Sequence, residues 1–230
     1  FLYEFGNTYN KFGDEFVEAH RLALWMTGEK QEENWNVTAS KVDFFFMKGV
    51  VEKVLQKLGL HQGVVSSTIQ SDLLSEGLLY KIRKKKVLEF GAVRKSILKK
   101  FGIKQEVMYA DFNWDLIMTM LKDQKTKYKE VSKFPSVRRD LALLINKQVA
   151  FAEIESIAFQ SDNGLLKKVS LFDVYEGDKL PADKKSYALS FLFSDEEQTL
   201  TDKVVDKSIL KIFTSLEQKL KVELRDGTLK

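Results

Sequence analysis

From Val137 to Ile145 the chain sets Val137, Leu141, Leu143 and Ile145 on one parity and Arg138, Asp140 and Ala142 on the other. Such alternation predicts a strand with one buried face and one free face. A helix is expected from about Phe151 to Phe159, stopped near Asn163-Gly164 in the manner of a left-handed cap. Strand Lys167–Tyr175 follows, then a turn through Glu176-Gly177-Asp178 and a strand Lys185–Phe193. Thr201 stands where a helix N-cap is needed, before a broad apolar face of Val204, Val205, Ile209, Ile212, Phe213, Leu216 and Leu220. Lys221–Arg225 supplies the last strand, and the order βαββαβ is the ferredoxin-like arrangement.

The first half is patterned differently. Phe1–Phe5 and Arg21–Gly28 read as strands, the second stopping at its glycine. Asp43 opens a helix in which Phe46, Val50, Val51, Val54, Leu55 and Leu58 recur at helical spacing, and Gly59 ends it. Leu78–Ile82 and Val87–Phe90 form a hairpin through a lysine run, Val93–Phe101 a short helix, and Glu106–Phe112 another strand. The expected class is α+β, with a mostly antiparallel sheet in the first domain. Only two prolines punctuate the chain, and Pro135 follows a lysine-rich, apolar-poor stretch from Lys122 to Lys133. The domain boundary is expected there, giving domains 1–130 and 131–230.

Composition narrows the chemistry. With 44% apolar and 30% charged residues over 230 positions, the chain has the make-up of ordinary globular domains. It has no cysteine, and its two histidines, His20 and His61, lack ligand spacing, so no metal site is expected. The longest apolar run, Val42–Val51, is broken by Asp43 and Lys48, so no membrane span or signal peptide is read and the cytoplasm is the expected compartment. A strand starting at Phe1 rather than Met reads as a piece of a longer polypeptide. The net charge of +4 is unevenly placed: residues 131–230 hold about sixteen basic and sixteen acidic side chains, and the excess lies in the first half. Lys81, Arg83, Lys84, Lys85, Lys86, Arg94, Lys95, Lys99 and Lys100 carry much of it.

If both helices of a ferredoxin-like domain cover one sheet face, alternation sorts the second domain's side chains. Val137, Leu141, Leu143, Phe172, Val174, Tyr187, Leu189, Phe191, Phe193, Val222 and Leu224 are expected inward. Asp140, Ala142, Asp173, Tyr175, Ser186, Ala188, Ser190, Lys221, Glu223 and Arg225 are expected outward. The first and third strands are central in this topology, so the open face is small in the middle and hydrogen-bonding at its edges. That floor could take a flipped-out base flat against Ala142 and Ala188, with a carboxylate on a guanine edge and Arg225 on phosphate or base. The third strand offers Ser186, Ala188 and Ser190 where many RNA-reading sheets carry aromatic rings, which argues against general single-strand stacking. The pattern alone favours a plainer reading, a solvated sheet surface with an Asp140–Arg225 ion pair, since ferredoxin-like folds serve many functions.

Several motifs in fixed order carry a resemblance. Phe134-Pro135-Ser136-Val137-Arg138-Arg139-Asp140-Leu141-Ala142, Leu171-Phe172-Asp173-Val174-Tyr175-Glu176-Gly177, Lys184-Lys185-Ser186, Thr199-Leu200-Thr201-Asp202 and Leu224-Arg225 resemble the ferredoxin-fold anticodon-binding domain of bacterial phenylalanyl-tRNA synthetase beta subunits. Gln198 stands where that family often has arginine. Glu4-Phe5-Gly6, Thr27-Gly28, Trp35, Asp43–Gly49 and Phe90-Gly91 are similar to the same subunit's class II synthetase-like domain, a degenerate, noncatalytic copy of the catalytic fold. After Gly91 this chain departs from the family's Glu-Leu-His-Pro-like run with Ala92-Val93-Arg94-Lys95.

The resemblance implies a noncatalytic part of a ligase that joins phenylalanine to its tRNA using ATP and Mg²⁺. It implies an alpha subunit in an α2β2 heterotetramer, and an editing site upstream of this chain. Carried over residue by residue, the anticodon contacts fall on Asp140, Ala142, Asp173, Ser186 and Arg225, with Arg138, Arg139, Lys184 and Lys185 as candidates for the RNA backbone. The competing expectation is a scaffold that docks the alpha subunit without touching RNA. A small-molecule regulator would need a mixed apolar and polar pocket that the sequence does not locate.

Overall fold

The computed structural model describes residues 1–122, 130, 132–178 and 180–225. The chain divides into two compact units, Phe1–Lys127 and Tyr128–Lys230. No described helix is long and apolar enough to cross a membrane.

The first unit is built on a six-stranded sheet of order β1-β2-β6-β5-β4-β3, every pairing antiparallel. Its strands are β1 Leu2–Phe12, β2 Glu15–Met26, β3 Val64–Thr68, β4 Leu74–Ile82, β5 Lys85–Val93 and β6 Met108–Asn113, and its helices are α1 Phe44–Lys57, α2 Lys95–Lys100 and α3 Trp114–Lys122. The core lies on one sheet face: Met47, Val51 and Leu55 of α1 and Ile117 of α3 pack with Leu88, Phe90, Ala110 and Phe112, all almost wholly buried. Asp43 caps α1 with its carboxylate, accepting from Phe46 N at 2.7 Å and from Lys30 Nζ at 2.7 Å. Those two donors hold its carboxyl below the usual range.

Three elements depart from the sequence pattern. The strand expected at Phe1–Phe5 runs on to Phe12 and pairs residue for residue with a β2 that begins at Glu15. Its polar residues bury almost nothing, so the pairing itself, turned at Gly13 with φ of 62°, holds a hairpin that hydrophobic alternation cannot announce. Strand β3 is exposed beyond Val64, so no apolar alternation marks it, and helix α3 follows β6 directly, with no breaker residue to separate them.

The second unit has a four-stranded sheet of order β10-β7-β9-β8 and two helices: β7 Val137–Asn146, α4 Phe151–Ser161, β8 Leu166–Tyr175, β9 Lys184–Phe193, α5 Asp202–Leu220 and β10 Glu223–Leu224. The first and third strands of the unit, β7 and β9, are central, as a ferredoxin-like βαββαβ fold requires. Leu143, Ile145, Leu189, Phe191 and Phe193 meet Ile154 and Ala158 of α4 and Val205, Ile212 and Leu216 of α5 in one buried cluster. Each fully buried side chain of that size adds about 1.5–3 kcal/mol. Lys221 is not strand: it takes the left-handed conformation, φ 52°, as the C-cap of α5. Gly164, φ 95°, provides the left-handed turn after α4.

Candidate nucleic-acid interface

Cross-strand register defines the uncovered face of the second sheet. Ala142 pairs with Ala188 and Ala188 with Asp173, while Arg225 N donates to Ala142 O at 2.9 Å, so these four residues form one transverse row. Glu223, Leu144, Ser186 and Tyr175 form the next row, and Asp140, Ser190 and Ser170 lie on the other side of the alanines. Directly paired residues of antiparallel strands share a face. Asp140, Ala142, Asp173, Ser186 and Arg225 therefore lie together on the side away from the helices.

The recess over the alanines has a roof. The Arg225 guanidinium, from one edge of the sheet, stands 5.1 Å from the centre of the Tyr175 ring, from the other edge. Ser186, in the row between them, is only 3% exposed. Gly177 leaves Tyr175 its space, since a Cβ there would fall 2.7 Å from the tyrosine hydroxyl.

One expected inward residue lies elsewhere. Phe172 is 55% exposed and receives the Arg138 guanidinium 5.4 Å from its ring centre, so it belongs to the open face. The cause is a β-bulge: Leu171 pairs with Leu189 and Asp173 with Ala188, leaving Phe172 as the extra residue. Val174 keeps the inward parity, opposite Tyr187, yet is 49% exposed near the strand end. Aromatic rings thus flank the recess after all, from β8 rather than from β9. The signal was present in the sequence, because Leu171 and Val174 are three apart and cannot share a face of an unbroken strand.

The four candidate backbone cations separate by face. Arg138 lies on the open side and forms a bidentate bond to Asp140, at 2.7 and 3.0 Å, which raises the guanidinium's pKa. This replaces the Asp140–Arg225 ion pair that the sequence left open. Lys184 also has open-face parity and reaches Glu223 at 2.5 Å. Arg139 points to the helix side and bonds Asp202 at 2.6 Å and Asp206 at 3.1 Å in the opening turns of α5. Lys185 is buried on that side too, donating to Lys147 O at 2.8 Å and lying 4.6 Å from the Tyr187 ring centre.

Known families match both ends of the chain. Residues 132–225 match the ferredoxin-fold anticodon binding domain, and residues 1–114 match the phenylalanyl tRNA synthetase beta chain CLM domain. The chain belongs to the phenylalanyl-tRNA synthetase beta-chain family. Phenylalanine–tRNA ligase beta subunits of Bacteroides fragilis, Porphyromonas gingivalis and Listeria innocua are 43%, 40% and 31% identical to it, over 97%, 98% and 97% of the chain. The chain spans only 28–29% of those relatives' length. A pyrrolysyl-tRNA synthetase from Desulfitobacterium hafniense aligns with 52% of the chain and 40% of its own at 15% identity and a TM-score of 0.39, too distant to carry weight.

The first unit of this beta-chain relative also has a sheet face away from its core. Tyr109 and Asp111 of β6 lie beside Trp25 and Ala23 of β2, with Glu89 of β5 opposite Asp111. Burial and the neighbouring carboxylates push the Tyr109 hydroxyl up to about 12, and burial raises the Asp111 carboxyl despite Arg21 at 3.4 Å. Arg21 is thus engaged by a carboxylate, and no group of three or more histidine, aspartate or glutamate side chains able to hold a metal forms among the described residues.

Proposed function

We propose that the second unit reads the anticodon of phenylalanine tRNA for a phenylalanine–tRNA ligase, and that this chain takes no direct part in the ligation chemistry. The carrying observation is the open-face row Arg225–Ala142–Ala188–Asp173, with Ser186 and Tyr175 in the row beside it. Two alanines leave a floor for a planar base. The Asp173 carboxylate is an acceptor for the N1 and N2 donors of a guanine, and the Ser186 hydroxyl adds a second polar contact. Arg225 swings from Tyr175 to a phosphate or base oxygen, freeing the ring to stack. Asp140 fixes Arg138 at the rim. In this reading the guanine is the first anticodon base.

ATP and Mg²⁺ serve the complete ligase, in the cytoplasm, together with the alpha subunit in an α2β2 assembly. Among its described residues no group of three or more histidine, aspartate or glutamate side chains gathers, and this reading assigns none of them to Mg²⁺.

A second reading, a scaffold for the alpha subunit, is favoured by the β1–β2 hairpin, where Tyr3, Tyr9, Phe12 and Phe16 are 67–75% exposed. One experiment separates the readings. In the complete ligase, Asp173→Ala should lower kcat/KM for phenylalanine tRNA about 10- to 100-fold, the worth of a lost two-point base contact, and should shrink the preference over a tRNA altered at the first anticodon base. Unchanged charging and preference, with alpha-subunit assembly intact, would leave the scaffold.

A further inference from the structure

The first unit carries a cluster of cations that the anticodon platform does not use. Helix α2 and the loop after it place Lys95, Lys99, Lys100 and Lys104 within ten residues, all exposed. None of these four makes an ion pair with a described residue. Lys95, Lys99 and Lys104 surround an open cavity of about 390 Å³ with Leu98 and Ile103 in its wall and Glu106 as its one acid. The loop is rigidly built: Gly102, φ 70°, turns the chain, and Ile103 N donates to Leu98 O at 3.0 Å. Beside the lysines Phe101 holds its ring 75% exposed. Like charges lining one cavity repel, and they do so most within the ~8 Å screening length of physiological salt. A polyanion relieves that repulsion at several points together, and an exposed ring among cations suits a sugar–phosphate chain better than an isolated anion.

We propose that the segment from Lys95 to Lys104 is a second RNA contact, which grips phosphates through Lys95, Lys99 and Lys104 without regard to sequence. It rests on the reading of the chain as a tRNA-binding protein. The second unit, with its balanced charge, supplies little general attraction for RNA, and this cluster supplies it instead.

The test uses the complete ligase and full-length phenylalanine tRNA, with Kd measured between 50 and 200 mM salt. Lys95→Ala/Lys99→Ala/Lys104→Ala should raise Kd about tenfold at the lowest salt and flatten the slope of log Kd against log salt by about 2–3, at ~0.9 per lost phosphate contact. The ratio of affinities for tRNAs with native and altered anticodons should stay as in the parent, and the triple Lys→Arg variant should restore binding. The exchanged residues are exposed, and alanine favours helix, so the fold is retained. An unchanged slope and Kd would overturn the proposal, alone if Asp173→Ala still loses anticodon preference. Absence of tRNA binding by the parent ligase would overturn it together with the anticodon reading.

Discussion

A glycine pair in the first unit shows how closely single residues are constrained. Gly77 of β4 and Gly91 of β5 face each other, two residues beyond a bulge at Ser75. A Cβ on Gly91 would fall 2.0 Å from Glu76 O and 2.7 Å from the Gly77 Cα, and one on Gly77 would fall 2.4 Å from Phe90 O. These are backbone atoms, which cannot move aside as a side-chain tip can. Gly91→Ala must therefore force β4 and β5 apart and disturb Phe90, which is fully buried one residue away. We expect it to cost about 2–3 kcal/mol, read as a lower urea midpoint. A midpoint within experimental error of the parent's would show that the strands tolerate a wider spacing. By contrast, Gly177 faces only the movable end of Tyr175. Its constraint bears on the recess more than on the fold.

At the scale of one strand, β7 gives adjacent arginines separate duties. Arg138 points to the open face with Asp140, and Arg139 to the opening turns of α5. Arg139→Ala should lower stability by under about 1 kcal/mol, because both partner carboxylates are largely solvated, and leave tRNA affinity unchanged. Arg138→Ala should leave the thermal midpoint nearly unmoved and reduce the salt slope of tRNA binding by about 1, if its guanidinium meets a phosphate. Paired melting and salt-titration measurements check this, and equal effects from the two variants would refute the division. Alternation made much of this unit legible: Leu141, Leu143 and Ile145 against Ala142 is period two, and the apolar stripe of α5 is period 3.6. It misled at Phe172, because a bulge changes parity by one residue. Lys185 deceived differently, since its charged end lies buried over a ring and against a carbonyl that only the folded chain brings near. Tyr175 was assigned to the correct face, but its roofing role depends on Arg225, fifty residues away, and no local pattern reports such a pairing.

Across the whole molecule, charge and shape are divided between the two halves. The residues from 131 onward are balanced, about sixteen of each sign, while the excess of +4 belongs to the first 130. On the open face of the second sheet, moreover, Arg138 and Lys184 are already paired with Asp140 and Glu223, whereas Arg225 lies against the ring of Tyr175. Under the proposed anticodon reading, discrimination there comes from the fit of a base against alanines, a carboxylate and a hydroxyl, interactions at contact distance that mobile ions screen little. General affinity, drawn from phosphates, must fall steeply as salt rises. Affinity and preference should therefore separate in one titration of the complete ligase. From 50 to 200 mM salt the Kd for phenylalanine tRNA should rise by an order of magnitude or more, while the ratio of Kd values for altered and native first anticodon bases stays within about twofold, as expected of a base contact that releases no counterions. Competition binding with the two tRNAs measures both quantities in the same samples. A ratio that collapses with salt would mean that preference itself is electrostatic, and the alanine floor beside Asp173 would then not be what reads the base.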